Sequence, residues 1–547
     1  MSTDCTEMTC KSDTKAGAPA AKSERWAWVL LIIVLLIITA IRVRLLAVPL
    51  ERDEGEFAYM GQLMLDGIPP YKIAYSMKLP GIYAAYALVM AVFGQTIVGV
   101  HLGLLLVNLT AILLLFLLVK RLIDPLAGVV ASTAYGLHSL GACTFGSSAH
   151  ATHFVLPFVL GGSLLLLRGI ESGKTRMLFW SGLLLGIGVL MKQHAAVFIP
   201  FAAIYVLWAQ MRIRPVSRPS AVKKAGLLLL GAVIPFGLTC LVMYALGVFE
   251  KFWFWTFTYA SEYTSERTAR QIWPTFWSEV QHAWMGFAWL WLIGAVGLVF
   301  LFIDDRLKGK RAFIGGFALF TFLMACPGFY FRPHYFIPFI SAVAMLGGLA
   351  VSSSGRALRG RIRIIPVMCM VLALSYGVIS NWSYWFRLNP TEACRLLYGR
   401  NPFPEAIEVA KFIREGTQDD DTIAVLGSEP EIYFYAHRRA ATGYIYTYGL
   451  MEAQKHAQEM QEEVIRQVES AHPKYVVFVA MGSSWLRYSK SKTAIFDWAN
   501  RYLPEKYEWV GVVDFIIEDY IPFVKGEQAK EYEPEGDEYL FIVKRLD

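Results

Sequence analysis

The chain has 547 residues, 56% of them hydrophobic and only 17% charged, with a mean hydropathy of +0.43. Soluble chains average about 25% charged residues, so the composition excludes a soluble enzyme on a single anchor, as well as collagen-like, disulfide-scaffold and disordered classes. The net charge of +7 is unevenly spread: residues 1–381 carry 32 Lys+Arg against 17 Asp+Glu, and residues 382–547 carry 19 against 27, which reads as basic loops between apolar spans and no nucleic-acid surface.

In chain order, residues 1–24 are small, polar and charged and read as a disordered cytosolic leader. Residues 25–381 read as a membrane domain with spans at 26–48, 97–119, 125–143, 151–167, 177–191, 195–210, 225–247, 285–303, 312–328, 335–351 and 364–381. A span needs roughly 20 residues, so the short ones are expected to run into their flanks. The apolar stretch Pro80–Phe93 is shorter still and is expected to lie in the interface or dip in without crossing.

Charge orients the eleven. With the N-terminus inside, the loops at 120–124, 168–176, 211–224, 304–311 and 356–363 hold 18 Lys+Arg against 4 Asp+Glu. The opposite loops, at 51–80, 249–284 and 329–334 together with Lys192, hold 8 against 9. That asymmetry satisfies the positive-inside rule and places residues 382–547 outside. Arg42 and Arg44, at the outer end of the first span, are expected to snorkel to the interface, with a lipid headgroup as the alternative partner.

Residues 382–547 alternate helical patterns (405–415, 451–470) with strand patterns (422–427, 475–480, 510–517, 540–544). The expectation is an extracytoplasmic α/β domain with a mostly parallel sheet. No glycine-rich phosphate loop is present; SEPE (428–431) reads as a turn, with an acceptor contact as the alternative. The seven cysteines form no CxxC pair and do not assign a compartment.

Chemistry concentrates in the enlarged first outer loop, 50–96. Glu51, Asp53, Glu54 and Glu56 crowd the end of the first span. A solvated charged face is the ordinary fate of such a run; carboxylates at a headgroup surface are costly unless they serve something. Phe57, Met60, Leu63 and Met64 then share one face of a short amphipathic helix expected to lie flat on the bilayer. Adjacent carboxylates repel, which raises the pKa of one of them.

The run DEGEFAY (53–59), KLPG (78–81) and FG (93–94) resembles the GT-C superfamily of integral-membrane glycosyltransferases, in particular the group of protein O-mannosyltransferases and lipid A aminoarabinose transferases. The motifs cover about residues 50–125; the span count, first loop and C-terminal domain extend the resemblance to the whole chain. The resemblance implies a polytopic helical enzyme of the cell inner membrane. Such an enzyme transfers sugar, with inversion, from a polyprenyl-phosphate donor to a glycan, lipid or protein acceptor.

It also implies Asp53 as the base, Glu54 as its neighbour, Lys78 as a phosphate contact, and Glu56 and Tyr59 as substrate-side positions of the same motif. The sequence departs from the aminoarabinose transferases in two places. Glu56 stands where they have Arg, and Met77 where they have a metal-binding carboxylate. No metal ligand is therefore assigned and no cofactor is named with certainty, though a divalent metal is left open.

Other outer candidates are Arg332 and His334 in the aromatic turn YFRPHYF (330–336), and His150 and His153, three residues apart at the start of a span. Arg332 and His334 read equally as substrate contacts or as belt structure. His150 and His153 read first as a hydrogen-bonded pair, with a metal-ligand pair as the alternative. Lys192 and His194 read as interfacial anchors, with a place facing the site as the alternative, and His101 and His138 as satisfied packing residues. The aromatic loop 249–284 reads as belt, or as a wall for donor lipid or sugar. The rival functional class is a transporter or lipid flippase, which would carry ionisable residues at mid-span.

Overall fold

The computed structural model describes residues 24–212, 217–264, 269–516 and 522–546. The expected leader therefore lies, apart from Glu24, outside the described residues. Each of the eleven expected spans holds a helix. These are α1 (Arg25–Arg44), α4 (Ile97–Leu122), α5 (Pro125–His138), α6 (Ala151–Ser172), α7 (Thr175–Met191) and α8 (Phe198–Arg212), then α9 (Arg218–Ala245), α11 (Ala288–Ile303), α12 (Arg311–Leu323), α13 (Ile337–Ala357) and α14 (Ile365–Ser380). Between them lie α2 (Arg52–Leu65), α3 (Gly81–Phe93) and α10 (Ala269–Trp284).

Among the described residues, seven of the long helices are apolar and long enough to cross a bilayer unaided. An eighth is reached if α10 and α11, bent by 106° at their junction, form one span. The remainder are short, such as the 13-residue α12. Local signals set the ends: Thr96 caps Gly99 N–H at the start of α4, and Asp124 caps Ala127 N–H ahead of Pro125 at the start of α5. Glycines bring helices together: Gly182 and Gly186 of α7 meet the α9 backbone at Leu228 and Ala232.

The connections sort to two faces. On one, Lys120 pairs with Glu24 at 2.5 Å, Arg356 with Asp124 at 2.7 Å, and Ser353 donates to Asp304 at 2.7 Å. On the other, α2 carries both ends of α3: Lys78, just before α3, reaches Glu56 at 3.2 Å, and Gln95, just after it, accepts from Gln62 at 2.9 Å. His101, in the first turns of α4, meets Glu54 at 3.0 Å. So α3 runs alongside α2 and is tied to it at both ends.

The arginines at the end of α1 correct the snorkelling reading. Arg42 is 4% exposed and donates to Asn108 Oδ1 and Gly146 O, both at 3.1 Å. Arg44 donates to the Trp385 and Leu388 carbonyls. Arg42 ties the helix end to α4 and to Gly146, and Arg44 ties it to residues 385–388.

The C-terminal α/β region holds α15 (Phe403–Glu415), α16 (Glu431–Ala436) and α17 (Ala457–Ala471). Its strands are β1 (Thr422–Leu426), β2 (Arg439–Ala440), β3 (Tyr475–Ala480), β4 (Tyr507–Asp514), β5 (Phe523–Lys525) and β6 (Tyr539–Arg545), in the order β2-β1-β3-β6-β4-β5. The expected mostly parallel sheet is corrected: only β1–β2 and β1–β3 are parallel, and β6 enters between β3 and β4 antiparallel to both. The single helix expected over 451–470 is broken, with a turn of helix at Tyr448–Met451 and α17 resuming at Ala457.

The amphipathic helix also differs from expectation. α2 does not lie on the bilayer with a polar face open. It is enclosed between α3 and α16, and Glu54, Glu56 and Gln62 are as buried as Phe57 and Met60. The motif's Gly55 is where the backbones meet: a Cβ there would stand 2.6 Å from Glu431 N. Only glycine admits that approach.

Candidate active site

The four acids at the start of α2 divide by role. Glu51 is the N-cap: it accepts from Glu54 N–H at 3.1 Å, and Glu54 accepts from Glu51 N–H at 3.2 Å. This is a capping box built from two glutamates. Glu54 also accepts from Ala149 N–H at 2.5 Å and meets His101. With its carboxylate engaged on three sides and fully buried, Glu54 is not among the cavity-lining residues and stands behind Asp53. It holds α2, α4 and the loop before α6 together.

Asp53 and Glu56 stand one helical turn apart and share the face that lines a cavity of about 1190 Å³. Lys78 Nζ lies between them, 3.7 Å from Asp53 Oδ1 and 3.2 Å from Glu56 Oε2. Ser76 donates to the other oxygen of Glu56. The Asp53 side chain keeps 25% of its surface open, against 2% for Glu56.

Burial works to raise the Asp53 pKa, but Lys78, then His150, Arg332 and Lys192 outweigh it and hold the group below the usual carboxylate range. The rise expected from repelling carboxylates falls instead on its neighbours. Burial, then Asp53 and Glu54, pushes Glu51 well above the usual range. Burial raises Glu56 against the pull of Lys78.

The same cavity gathers Lys192, Arg332, His150 and His334. Lys192 is 9% exposed, its ammonium 3.6 Å from the centroid of the Tyr335 ring. Burial lowers its pKa to about 7, with Asp53 opposing and Lys78 and Arg332 assisting. Lys78, Lys192, Arg332 and the Asp53 carboxylate thus share a partly dry space, which suits an anion and a proton acceptor side by side.

His150 and His334 stack with ring centroids 3.9 Å apart. One ligand atom each from Asp53, His150 and His334 lies within 4.8 Å of the others. Both ring nitrogens of His150 and Nδ1 of His334 are buried without a hydrogen-bond partner. Three such donors beside an open cavity fit a divalent cation with a free coordination position. Flanking Lys78, Lys192 and Arg332 oppose a bare cation there, so an anion would accompany it.

Two predicted residues lie outside the cavity lining. Tyr59 does not line the cavity; its hydroxyl accepts from Ala440 N–H at 2.7 Å, and its ring stacks on Tyr433. His153 is 1% exposed inside α6 and is not among the residues lining the cavity; neither ring nitrogen of His150 or His153 has a hydrogen-bond partner among the described residues, which corrects their reading as a hydrogen-bonded pair.

Sequence reasoning passed over several lining residues. Arg52 pairs with Glu429 at 2.9 Å and donates to Ser428 O at 2.6 Å, joining α2 to the C-terminal region. Tyr446 and Tyr448 line the cavity from GYIYTYG (443–449), whose alternating tyrosines were the available signal.

This architecture has known counterparts. AglB, the archaeal oligosaccharyltransferase from Archaeoglobus fulgidus, solved in complex with an inhibitory peptide and a dolichol-phosphate, superposes with a TM-score of 0.55 at 13% identity, over 93% of this chain and 75% of that one. ArnT from Cupriavidus metallidurans bound to undecaprenyl phosphate gives 0.55 at 16% identity, over 84% and 94%. Its apo state gives 0.55 at 15% identity, over 96% and 98%. The chain has the GT-C fold.

Within that fold, residues 78–238 match the sequence profile of the dolichyl-phosphate-mannose-protein mannosyltransferase family. No curated protein matches the chain. The polytopic helical part with a C-terminal sheet region is the GT-C arrangement expected from the sequence.

Proposed function

We propose that the chain is a glycosyltransferase that moves a sugar from a polyprenyl-phosphate donor to an acceptor outside the cytoplasm. The observation that carries the reading is the convergence of Asp53 with Lys78, Lys192 and Arg332 on one cavity. The family profile over 78–238 supports it. So do the dolichol-phosphate and undecaprenyl phosphate held by AglB and ArnT.

In this reading the acceptor hydroxyl attacks the anomeric carbon. The new C–O bond forms as the bond from that carbon to the phosphate oxygen breaks. The lipid phosphate leaves as an anion beside Lys78, Arg332 and Lys192, and the acceptor proton passes to Asp53. A single displacement inverts the anomeric configuration. Asp53 is ionised but a weak base while the cations face it. An incoming phosphate draws their field to itself and lets the basicity of Asp53 rise. A metal held by Asp53, His150 and His334 would supply further charge at the phosphate.

The protein is further read as a multi-pass inner-membrane enzyme with its N-terminus cytoplasmic and residues 382–547 outside, on the loop charges. Against a transporter stands the gathering of ionisable groups at one end of the bundle. The test is transfer from labelled polyprenyl-phosphate sugars in membranes containing the chain. Loss of all transfer and donor hydrolysis, with Asp53→Asn indistinguishable from the parent, would overturn it.

A further inference from the structure

The cavity has a second wall that donor chemistry does not use. It is built where the C-terminal segment 442–452 docks on the loops of the helical part. Tyr75 N–H donates to Gly443 O at 2.7 Å, and Tyr259 donates to Glu452 at 2.6 Å. Gly443 and Gly449 admit Tyr75 and the Tyr259 hydroxyl where any side chain would collide. The tight seat presents Tyr444, Tyr446 and Tyr448 in alternation, beside Tyr75 stacked on Trp255 at 5.3 Å.

Tyr446 is the informative member. It is half-buried and lines the cavity. It sits edge-on to Tyr448, 4.8 Å away, within electrostatic reach of Asp53 and Arg332. Tyr448 and Tyr444 engage their hydroxyls with Ser483 O and Glu463; that of Tyr446 bonds to no described residue. The cavity lining also includes Tyr398, stacked on Phe145 at 5.2 Å, and Asn401 and Glu452 add an amide and a carboxylate.

Resting on the glycosyltransferase reading, we infer that the Tyr446 wall is the acceptor subsite and that the acceptor is a carbohydrate. Ring faces with polar tips, interleaved with an amide and a carboxylate, match a pyranose, which is apolar on its C–H faces and polar at its edge. A peptide acceptor would be expected to use main-chain partners such as a free strand edge. The edge strands β2 and β5 contribute no residue to the cavity. A sugar ring on Tyr446 presents a hydroxyl to Asp53, which takes its proton as the new glycosidic bond forms and the lipid phosphate leaves.

The full-length protein is tested in two ways. Oligosaccharide binding to donor-free protein is followed by quenching of tryptophan fluorescence. Transfer from labelled polyprenyl-phosphate sugar is offered soluble oligosaccharides, a glycolipid in nanodiscs, and serine- and threonine-containing peptides. Transfer to either saccharide is expected, the two arms separating a free glycan from a lipid headgroup. Tyr446→Ala should raise the acceptor KM roughly tenfold and leave the donor KM within about twofold, with Tyr446→Phe retaining most binding. Transfer to peptides alone, or a donor KM that moves in place of the acceptor KM, overturns the inference. Saccharide binding that depends on Tyr446 without any transfer would sustain the subsite and overturn the enzymatic reading.

Discussion

The imidazoles of His150 and His334 lie face to face, 3.9 Å between centroids and 10° from parallel, although they come from different loops. Burial lowers the His150 pKa to about 4, with Asp53 and Glu54 opposing, so it is neutral near pH 7 and can offer a lone pair. Asp53 stands beside the pair.

Metal loading follows from that geometry. Protein dialysed against Zn²⁺ or Mn²⁺ should retain about one ion per chain by elemental analysis. His334→Ala and His150→Ala should each lose it. Stoichiometric retention by both variants would place the ion elsewhere.

Asp53→Asn preserves shape and removes the proton acceptor. Turnover should fall by about 10²–10⁴ with donor binding largely kept, whereas Lys78→Ala should chiefly weaken donor binding. Glu54→Gln should act through stability, since its carboxylate bridges Ala149 N–H and His101. Full transfer by Asp53→Asn would move the base to another group.

Lys192 gives a pH dependence with a definite sign. With its pKa lowered to about 7 by burial, it is charged below and neutral above that value. Donor affinity should weaken as pH rises through about 7. Lys192→Arg keeps its charge and should flatten the profile, measured by titrating the undecaprenyl phosphate anion. An unchanged slope in that variant would show that another group titrates.

Glu431 is buried with neither carboxylate oxygen hydrogen-bonded. Burial, then Glu429, pushes its pKa well above the usual range, with Arg52 opposing. A raised carboxyl pKa contributes stability below its unfolded value, and that stability is lost as pH rises through the folded one. Glu431→Gln should therefore be more stable than the parent at pH 8, and the difference should shrink toward pH 4 in thermal melts. Equal melts at both values would contradict the assignment.

Orientation is checked by protease. Added to intact spheroplasts, it should remove residues 382–547 and leave the basic loops untouched. Cleavage of that region only in inverted vesicles would reverse the topology.

The apolar helices were legible because an apolar run is a local property of the chain. Asp53 and Lys78 were legible as part of one short motif. Separating Asp53 from Glu54 required the Glu51–Glu54 capping box, a pattern usually sought with Ser or Thr in first place. Arg52, Tyr446 and Tyr448 were hidden because their meaning arises only when residues 428–452 dock on loops far away in sequence. Strand direction was misread for a related reason: alternation identifies β6 as a strand but does not say between which neighbours it enters.

The seat of Gly55 against Glu431 has a consequence for how such enzymes can be recombined. The helix bearing Asp53 is moulded to one particular α16, with Arg52 keyed to Glu429 beside it. A chimera that exchanges residues 382–547 for those of another GT-C protein should inherit a displaced carboxylate unless residues 51–65 travel with them. The two stretches form one hereditary cassette, and substitutions in one should be rescued by changes in the other.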